Sequence, residues 1–211
     1  MADNIQMCNT NIKKMNNIIL VSGHSGSGKS TFAKMLAESL SYKYINVDNF
    51  CFKCCHSQEF LNIAQQEIDE YLYDENNALR KNFEIGCQVL YKRDGQAKNS
   101  ADYFFNYVQQ ELDNQSNEHC VIEWFGLPLL DIWESNAVKV LVEISDDETR
   151  FQRLLSRGKI SAEMLKEREK AGVDYSKYKF DAIIKNDGNF DDLTQSIEEF
   201  VSVLEGEQLN G

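Results

Sequence analysis

The stretch Gly23-His24-Ser25-Gly26-Ser27-Gly28-Lys29-Ser30 decides how this 211-residue chain is interpreted. It follows the apolar residues 18–21, whose composition predicts a strand buried on both faces of a parallel sheet. It leads into residues 28–41, in which apolar side chains recur at helical spacing. This order of strand, glycine-rich turn and helix brings backbone N–H groups and the positive end of the helix dipole together. The stretch therefore predicts a phosphate-binding loop.

Each residue type in this loop has a chemical task. Glycines let the backbone curl tightly around phosphates, and Lys29 can reach the outer phosphate oxygens. The Ser30 hydroxyl can ligate Mg²⁺, whereas His24 is expected to contribute only its backbone. We therefore predict that the loop binds a nucleoside triphosphate with Mg²⁺. The loop residues predicted to hold the nucleotide are Gly23, His24, Ser25, Gly26, Ser27, Gly28, Lys29, Ser30 and Thr31.

The rest of the chain alternates between strands and helices. Four further apolar segments predict strands, at residues 44–47, 120–124, 138–144 and 182–184. Helical patterns occupy 57–73, 76–92, 100–113 and 191–204, and Ser145 with Glu148 forms a capping-box pattern before a helix ending at Arg157. The sequence therefore predicts a three-layer α/β/α fold around a five-stranded parallel sheet, of the P-loop NTPase type.

We predict one P-loop domain over residues 18–205, with a flexible leader at 1–17 and a tail at 206–211. Within it, residues 51–118 form a helical insert.

Composition excludes several classes of partner. The chain has 34 acidic against 22 basic side chains, a formal charge of −12, which argues against nucleic acid or an anionic membrane as partner. Apolar runs are far shorter than the roughly 20 residues that cross a bilayer. Six irregularly spaced cysteines and no apparent secretory signal favour reduced thiols and a cytoplasmic location.

The loop predicts nucleotide binding but does not by itself choose among nucleotide-binding classes. An Asn-Lys-x-Asp motif, typical of signalling GTPases, does not occur in the sequence, nor does a Leu-Ser-Gly-Gly-Gln-like signature of transporter ATPases. A small-molecule kinase is therefore the leading interpretation.

Three segments outside the loop resemble the dephospho-coenzyme A kinases within the wider nucleoside monophosphate kinase group. These are residues 121–130 with the Pro-Leu-Leu turn, residues 149–157, and Phe180-Asp181-Ala182-Ile183-Ile184-Lys185-Asn186-Asp187-Gly188. The resemblance covers about residues 18–50 and 119–205, and residues 51–118 have no match. It implies an ATP-dependent kinase that phosphorylates a small nucleotide-like acceptor, with dephospho-coenzyme A first. The resemblance also implies that the insert 51–118 holds the acceptor and that residues 146–170 form a lid. Guanylate or other nucleoside phosphate kinases are the alternative, and a regulatory nucleotide-binding protein is the alternative of another class.

Two carboxylates are candidates for the chemistry. Asp48 follows the second predicted strand, and in the resembling kinases an aspartate here helps to position or deprotonate the acceptor hydroxyl. A turn or helix-cap role is the alternative for Asp48. Glu123 lies in the third predicted strand, where a buried carboxylate needs a partner, so we predict a role near Mg²⁺. Its alternative is a solvent-facing position at the strand end.

Basic and amide side chains near the carboxyl end of the chain complete the predicted site. Arg150, Arg153 and Arg157 are three and four residues apart, which places them on one helical face opposite Phe151 and Leu154. Arginines closing over a moving phosphoryl group stabilise its charge, and we assign that role to Arg153 and Arg157. Arg150 is expected only to form an ion pair on a solvated face.

The resemblance also assigns Asn186 and Gly188 to adenine, with a simple turn as the alternative. Cys51, Cys54, Cys55 and His56 include zinc-ligand types, but they make only half a site, so reduced and partly buried thiols are expected there.

Overall fold

The computed structural model describes residues 4–9, 17–67, 85–90, 93, 95–116, 118–156 and 172–206. They divide into two units, which are described separately. The first contains the described residues of Met1–Asn46, Ser116–Leu165 and Gly172–Gly211, and the second contains those of Val47–Gln115.

A six-stranded sheet is the framework of the first unit, with strand order β1-β6-β5-β2-β4-β3. All neighbouring strands are parallel except β1 and β6, which pair antiparallel. The strands are β1 (Ile5–Met7), β2 (Ile18–Ser22), β3 (Lys43–Asn46), β4 (Cys120–Glu123), β5 (Val138–Glu143) and β6 (Ala182–Lys185).

The predicted α/β fold is confirmed, but the sheet has six strands where the sequence predicted five parallel ones. The additional strand, β1, lies within the predicted leader 1–17, and its Gln6 is in register with Ile183. Three residues with a central polar side chain give no strand periodicity. Pairing with a partner about 180 residues away in sequence determines this strand.

Two helices cover one face of the sheet. Helix α1 (Lys29–Leu40) follows the loop, and α6 (Phe190–Glu205) begins at a capping box formed by Asn189 and Asp192. Phe32 and Phe200 are fully buried between the helices and the sheet. The opposite face carries short 3₁₀ turns (Leu127–Leu129, Asp131–Glu134 and Tyr175–Lys177).

Helix α5 (Asp147–Leu155) follows β5 in the first unit. The predicted capping residue is wrong, because Asp146 and not Ser145 accepts the hydrogen bonds of the first turn, from the N–H groups of Glu148 and Thr149. Ser145 instead donates from its N–H and its hydroxyl to the Asp187 carboxylate, which joins the loops after β5 and β6.

The second unit is helical in its described residues. It contains α2 (Asp48–Cys55), α3 (Gln58–Glu67) and α4 (Lys98–Gln115), and residues 85–90 are also helical. Phe60 of α3 and Phe104 of α4 pack with ring centroids 6.2 Å apart, and both side chains are buried. The sequence indicated α3 and α4 but gave no helical signal for α2. Among the described residues, no helix combines the length and apolar composition required to span a membrane.

Candidate functional site

The loop between β2 and α1 lies at the carboxyl end of a strand in the middle of the sheet. Three of its glycines have positive φ: 155° at Gly23, 87° at Gly26 and 90° at Gly28. Residues that carry a side chain rarely adopt this backbone conformation, so glycine is the residue type that suits the turn. The sequence prediction of a tight glycine-dependent loop leading into a helix therefore agrees with the structure.

Three side chains from other parts of the first unit hold the backbone of this loop at alternate residues. The N–H of Gly23 donates to the Tyr175 hydroxyl over 3.2 Å. Arg150 Nη1 donates to the Ser25 carbonyl over 3.1 Å, and Asn186 Nδ2 donates to the Ser27 carbonyl over 2.8 Å. The rings of His24 and Tyr175 also meet edge to face, with centroids 4.8 Å apart. The loop is thus shaped by distant residues as well as by its own glycines.

Glu123 lies at the end of β4, beside the start of α1, and its side chain is 1% exposed. Its Oε1 accepts a hydrogen bond from Ser30 Oγ over 3.0 Å and lies 3.6 Å from Lys29 Nζ. Its Oε2 accepts a hydrogen bond from the Tyr44 hydroxyl over 3.2 Å. Burying a carboxylate is costly unless it is paired, and this one has a cation and two hydroxyl donors.

Sheet register explains why these groups meet. Glu123 of β4 is level with Val21 of β2 on one side and with Asn46 of β3 on the other. The carboxyl ends of adjacent parallel strands share one edge of a sheet, and the loop leaves β2 at that edge. The structure therefore brings together Lys29, Ser30 and Glu123, as the sequence predicted, and adds Tyr44, which the sequence analysis missed.

The oxygen atoms in this cluster fit the preference of Mg²⁺. Magnesium binds hard oxygen ligands such as carboxylates and hydroxyls. Glu123 and the Ser30 hydroxyl provide both types 3.0 Å from each other. The donor set at the mouth of the loop therefore suits the predicted ion.

Arg150 does not lie on the solvated face that the sequence analysis expected for it. Arg150 is 2% exposed, and it lies on the same side of α5 as the buried Leu154. It pairs with Asp147, as expected, but it also contacts the loop, so the expectation of a surface ion pair alone is wrong. Arg150 and Leu154 are four residues apart and therefore lie on the same face of the helix. When one face carries both an arginine and a leucine, the spacing alone does not show whether that face is buried.

Arg153 lies near the loop that follows β6. Its Nη1 donates to the carbonyl of Asn186 over 3.3 Å. The side-chain amide of Asn186 donates to the Ser27 carbonyl of the loop, while its main-chain carbonyl accepts from Arg153. Asn186 therefore connects Arg153 with the loop. Arg157 lies outside the described residues.

Gly188 lies two residues after Asn186, and its lack of a side chain leaves room for the start of α6. A Cβ atom at this position would lie 2.2 Å from Oδ2 of Asp192, the carboxylate of the capping box. The described contacts of Asn186 and Gly188 are thus structural, and their predicted contact with adenine stays a prediction.

The remaining predicted residues belong to the second unit. Asp48 is the first residue of α2, and its catalytic role stays a prediction. The thiols of Cys51, Cys54 and Cys55 are free and buried, as expected for reduced cysteines. Burial raises the pKa of each of these thiols, and it raises that of Cys55 to about 12. Within the described residues, no group of three or more His, Cys, Asp or Glu side chains is arranged to hold a metal ion.

Comparison with known proteins agrees with this geometry. A family model described as an AAA domain matches residues 19–174, which is more than half of the chain and includes the loop, Glu123 and α5. The chain belongs to this AAA domain family.

Relatives of this AAA domain protein include the dephospho-CoA kinase of Fusobacterium nucleatum, 28% identical over 200 residues, with 89% of this chain and 98% of that protein covered. Two solved structures share the fold at 19% identity. TT1252 from Thermus thermophilus has a TM-score of 0.60 over 89% of this chain and 97% of the other. The dephospho-CoA kinase from Campylobacter jejuni has a TM-score of 0.53 over 92% and 100%.

The predicted resemblance to P-loop small-molecule kinases is thereby confirmed, as is the prediction of a phosphotransferase. Tyr175 and Tyr44 were not predicted as site residues, and Arg150 was not expected to contact the loop. A tyrosine in a polar segment and a tyrosine inside a strand have no sequence signal that points to the loop.

Proposed function

We propose that this AAA domain protein transfers the terminal phosphate of MgATP to a small nucleotide-like acceptor, with dephospho-CoA as the first candidate. The observation that supports this most directly is the cluster of Lys29, Ser30 and buried Glu123 at the mouth of the loop. It combines a cation for phosphate oxygens with two oxygen groups suited to Mg²⁺. The match to the Fusobacterium nucleatum dephospho-CoA kinase along nearly its whole length supports the acceptor.

The chain's own residues would divide the work as follows. The N–H groups of the loop cradle the phosphates, and Lys29 compensates for the charge of the outer ones. Ser30 and Glu123 would hold Mg²⁺, which neutralises charge that develops on the phosphate oxygens when it is bound. Glu123 also keeps Lys29 at the loop, because the two groups lie 3.6 Å apart with Lys29 mostly buried.

Catalysis of phosphoryl transfer depends mainly on positioning and on stabilising the charge of the moving group. Arg153 donates to the carbonyl of Asn186, whose side chain bonds the Ser27 carbonyl of the loop, and this connection supports a role for Arg153 at the phosphates. We propose that Arg153, together with Arg157, stabilises the transferred phosphate. Asp48 is proposed to orient or deprotonate the acceptor, and Asn186 with Gly188 to contact adenine. The buried free thiols agree with the reducing cytoplasm that we propose as the compartment.

The proposal is tested by supplying the purified chain with MgATP and an acceptor panel, and by measuring ADP release. The panel contains dephospho-CoA, nucleosides and nucleoside monophosphates. We expect release that depends on dephospho-CoA. Release that depends instead on a monophosphate would assign the chain to the nucleoside phosphate kinases. A flat response across the panel would favour a regulatory nucleotide-binding protein and overturn the kinase proposal.

Variants on helix α1 separate the site from general effects on folding. Lys29→Ala is expected to lower acceptor-dependent ADP release by about 100-fold or more, because the charge of the transferred group loses its cation. Lys34→Ala, at an exposed position of the same helix, is the matched control and is expected to keep the wild-type rate. Full activity in Lys29→Ala would contradict the assigned role of the loop.

A further inference from the structure

We infer that Arg150 is a positioning residue that directs the Gly26 N–H into the phosphate-binding loop and thereby sets the affinity of the loop for polyphosphate. The inference rests on the proposed function in one respect, that a nucleotide polyphosphate is the ligand of the loop. The bonds that carry it run from Arg150 to the Asp147 carboxylate and to the Ser25 carbonyl. Through the Ser25 carbonyl, Arg150 would act on the ligand by way of the loop backbone.

The guanidinium of Arg150 is fixed at both ends of its planar group. Nε and Nη2 donate to Oδ1 of Asp147 over 3.1 and 3.0 Å, and Nη1 donates to the Ser25 carbonyl over 3.1 Å. The guanidinium carbon also lies 4.7 Å from the ring centroid of Phe151. A planar fork held by a carboxylate through Nε and Nη2 presents its Nη1 group in a defined direction. The bond to Ser25 is therefore directed by Asp147.

The stem of the same side chain contacts the next residue of the loop. A Cβ atom at Gly26 would lie 3.1 Å from Cγ of Arg150 and 3.0 Å from its carbonyl oxygen. It would also lie 2.9 Å from Cγ of Leu154. Helix α5 is thus packed against the loop at Gly26, and Arg150 is buried in that contact with 2% of its surface exposed.

The bond from Arg150 to the Ser25 carbonyl also determines the direction of the Gly26 N–H. The Ser25 carbonyl and the Gly26 N–H belong to one peptide unit, which is planar and trans, so the two groups point in opposite directions. Arg150 holds the carbonyl toward α5, and the Gly26 N–H consequently points away from α5. N–H groups that converge in a glycine-rich loop bind anions. Without Arg150, this peptide unit could rotate and turn its carbonyl toward the phosphates.

Arg150 could also increase the affinity for polyphosphate through its positive charge alone, without positioning the Gly26 N–H. A variant of Asp147 distinguishes these two mechanisms. Asp147→Asn removes a negative charge near the loop. If Arg150 acted only by charge, this variant would bind polyphosphate more tightly than the wild type. If Arg150 acts by positioning, the variant binds more weakly, because the charge-assisted bonds that direct the guanidinium to Ser25 are replaced by weaker bonds to a neutral amide oxygen. The two mechanisms predict changes of opposite sign.

The experiment is a calorimetric titration of the full chain with MgADP at fixed ionic strength, for the wild type and three variants. We expect Arg150→Met and Asp147→Asn each to weaken binding by about tenfold, the value of a lost charge-assisted hydrogen bond. Gln152→Ala is the matched control on the exposed face of the same helix and is expected to bind as the wild type does. In a steady-state assay, both first variants are expected to raise KM for ATP with little change in kcat.

An NMR measurement tests the effect of Arg150 on the Gly26 N–H directly, without nucleotide. In chain labelled with ¹⁵N-glycine, the Gly26 amide resonance is expected to shift in Arg150→Met and in Asp147→Asn, and to stay in place in Gln152→Ala. Asp147 is largely exposed, so its variant is expected to fold. Tighter MgADP binding by Asp147→Asn, unchanged binding by Arg150→Met, or an unmoved Gly26 resonance would each overturn the inference. A wild type that does not bind MgADP would instead overturn the proposed function.

Discussion

The hydroxyl of Tyr175 accepts a hydrogen bond from the N–H of Gly23 over 3.2 Å and donates one to the carbonyl of Phe125 over 2.7 Å. One buried phenol therefore joins the first residue of the phosphate-binding loop to the loop that follows β4. Both partners are backbone groups, so the connection does not depend on a flexible side chain other than that of Tyr175.

Tyr175→Phe is expected to lower the free energy of unfolding by about 1–3 kcal/mol, because a buried N–H and a partly buried carbonyl each lose a partner. The value is measured by urea unfolding. Tyr178→Phe is the control, since the Tyr178 ring packs edge to face against Trp133 and not at the loop. Equal stability of Tyr175→Phe and wild type would show that the bridge contributes little.

Gly28→Ala is expected to disrupt the loop. Gly28 has φ of 90°, and an added Cβ would lie 2.1 Å from Nδ2 of Asn186, the donor to the Ser27 carbonyl. The left-handed conformation alone costs alanine about 1–2 kcal/mol. We expect lower thermal stability and weaker MgADP binding. Gly95→Ala is the matched control, because nothing lies within 4 Å of its added Cβ. Similar losses in both variants would argue against the Asn186 contact as the cause.

Glu67 caps the first turn of α4 from the end of α3. Its carboxylate accepts hydrogen bonds from the N–H and Nδ2 of Asn99, at 3.0 and 2.7 Å, and from the N–H and hydroxyl of Ser100. Desolvation raises the pKa of Glu67, but the bonds from Ser100 and Asn99 outweigh it, so the pKa lies below its ordinary value of 4.5. The ionised carboxylate is thus the form that stabilises the fold.

A carboxyl group with a depressed folded-state pKa contributes stability above its unfolded pKa and loses it as pH falls through the folded value. We therefore expect the contribution of Glu67 to be complete near pH 6 and to decline below its ordinary pKa of 4.5. Glu67→Ala is expected to cost about 1 kcal/mol at pH 7, as the loss of a helix cap does. Urea unfolding of wild type and variant from pH 7 to pH 3 measures the difference. A difference that grows at low pH would contradict the assignment.

Cysteine alkylation is expected to depend on burial. Cys8 is exposed, whereas Cys51, Cys54, Cys55 and Cys120 are buried, and burial raises the pKa of Cys120 to about 11. Iodoacetamide reacts with thiolates, which these buried groups rarely form near neutral pH. Mass spectrometry after brief labelling at pH 7.5 should find Cys8 modified and the four buried thiols protected until urea is added. Labelling of Cys54 as fast as Cys8 in the native protein would contradict the buried arrangement of α2.

The phosphate-binding loop was predictable because its signal is local. The glycines, Lys29 and Ser30 lie within eight residues, between an apolar strand and an amphipathic helix, and neighbouring residues determine that geometry. Glu123 was also predictable, because a carboxylate in an apolar strand requires a partner. The sequence thus determined the fold class, the ligand class of the loop, and the acid that meets it.

Tertiary structure alone decided which distant side chains hold the loop. Arg150 was expected on a solvated face and is buried, because helix packing against Gly26 selects the face, and periodicity does not. Tyr175 and β1 gave no sequence signal, since their positions depend on partners about 150 to 180 residues away. Local sequence determines which backbone conformations each residue can adopt. Contacts between residues far apart in sequence also depend on how the strands are paired in the sheet. That is why the centre of the site could be predicted from the sequence and its supports could not.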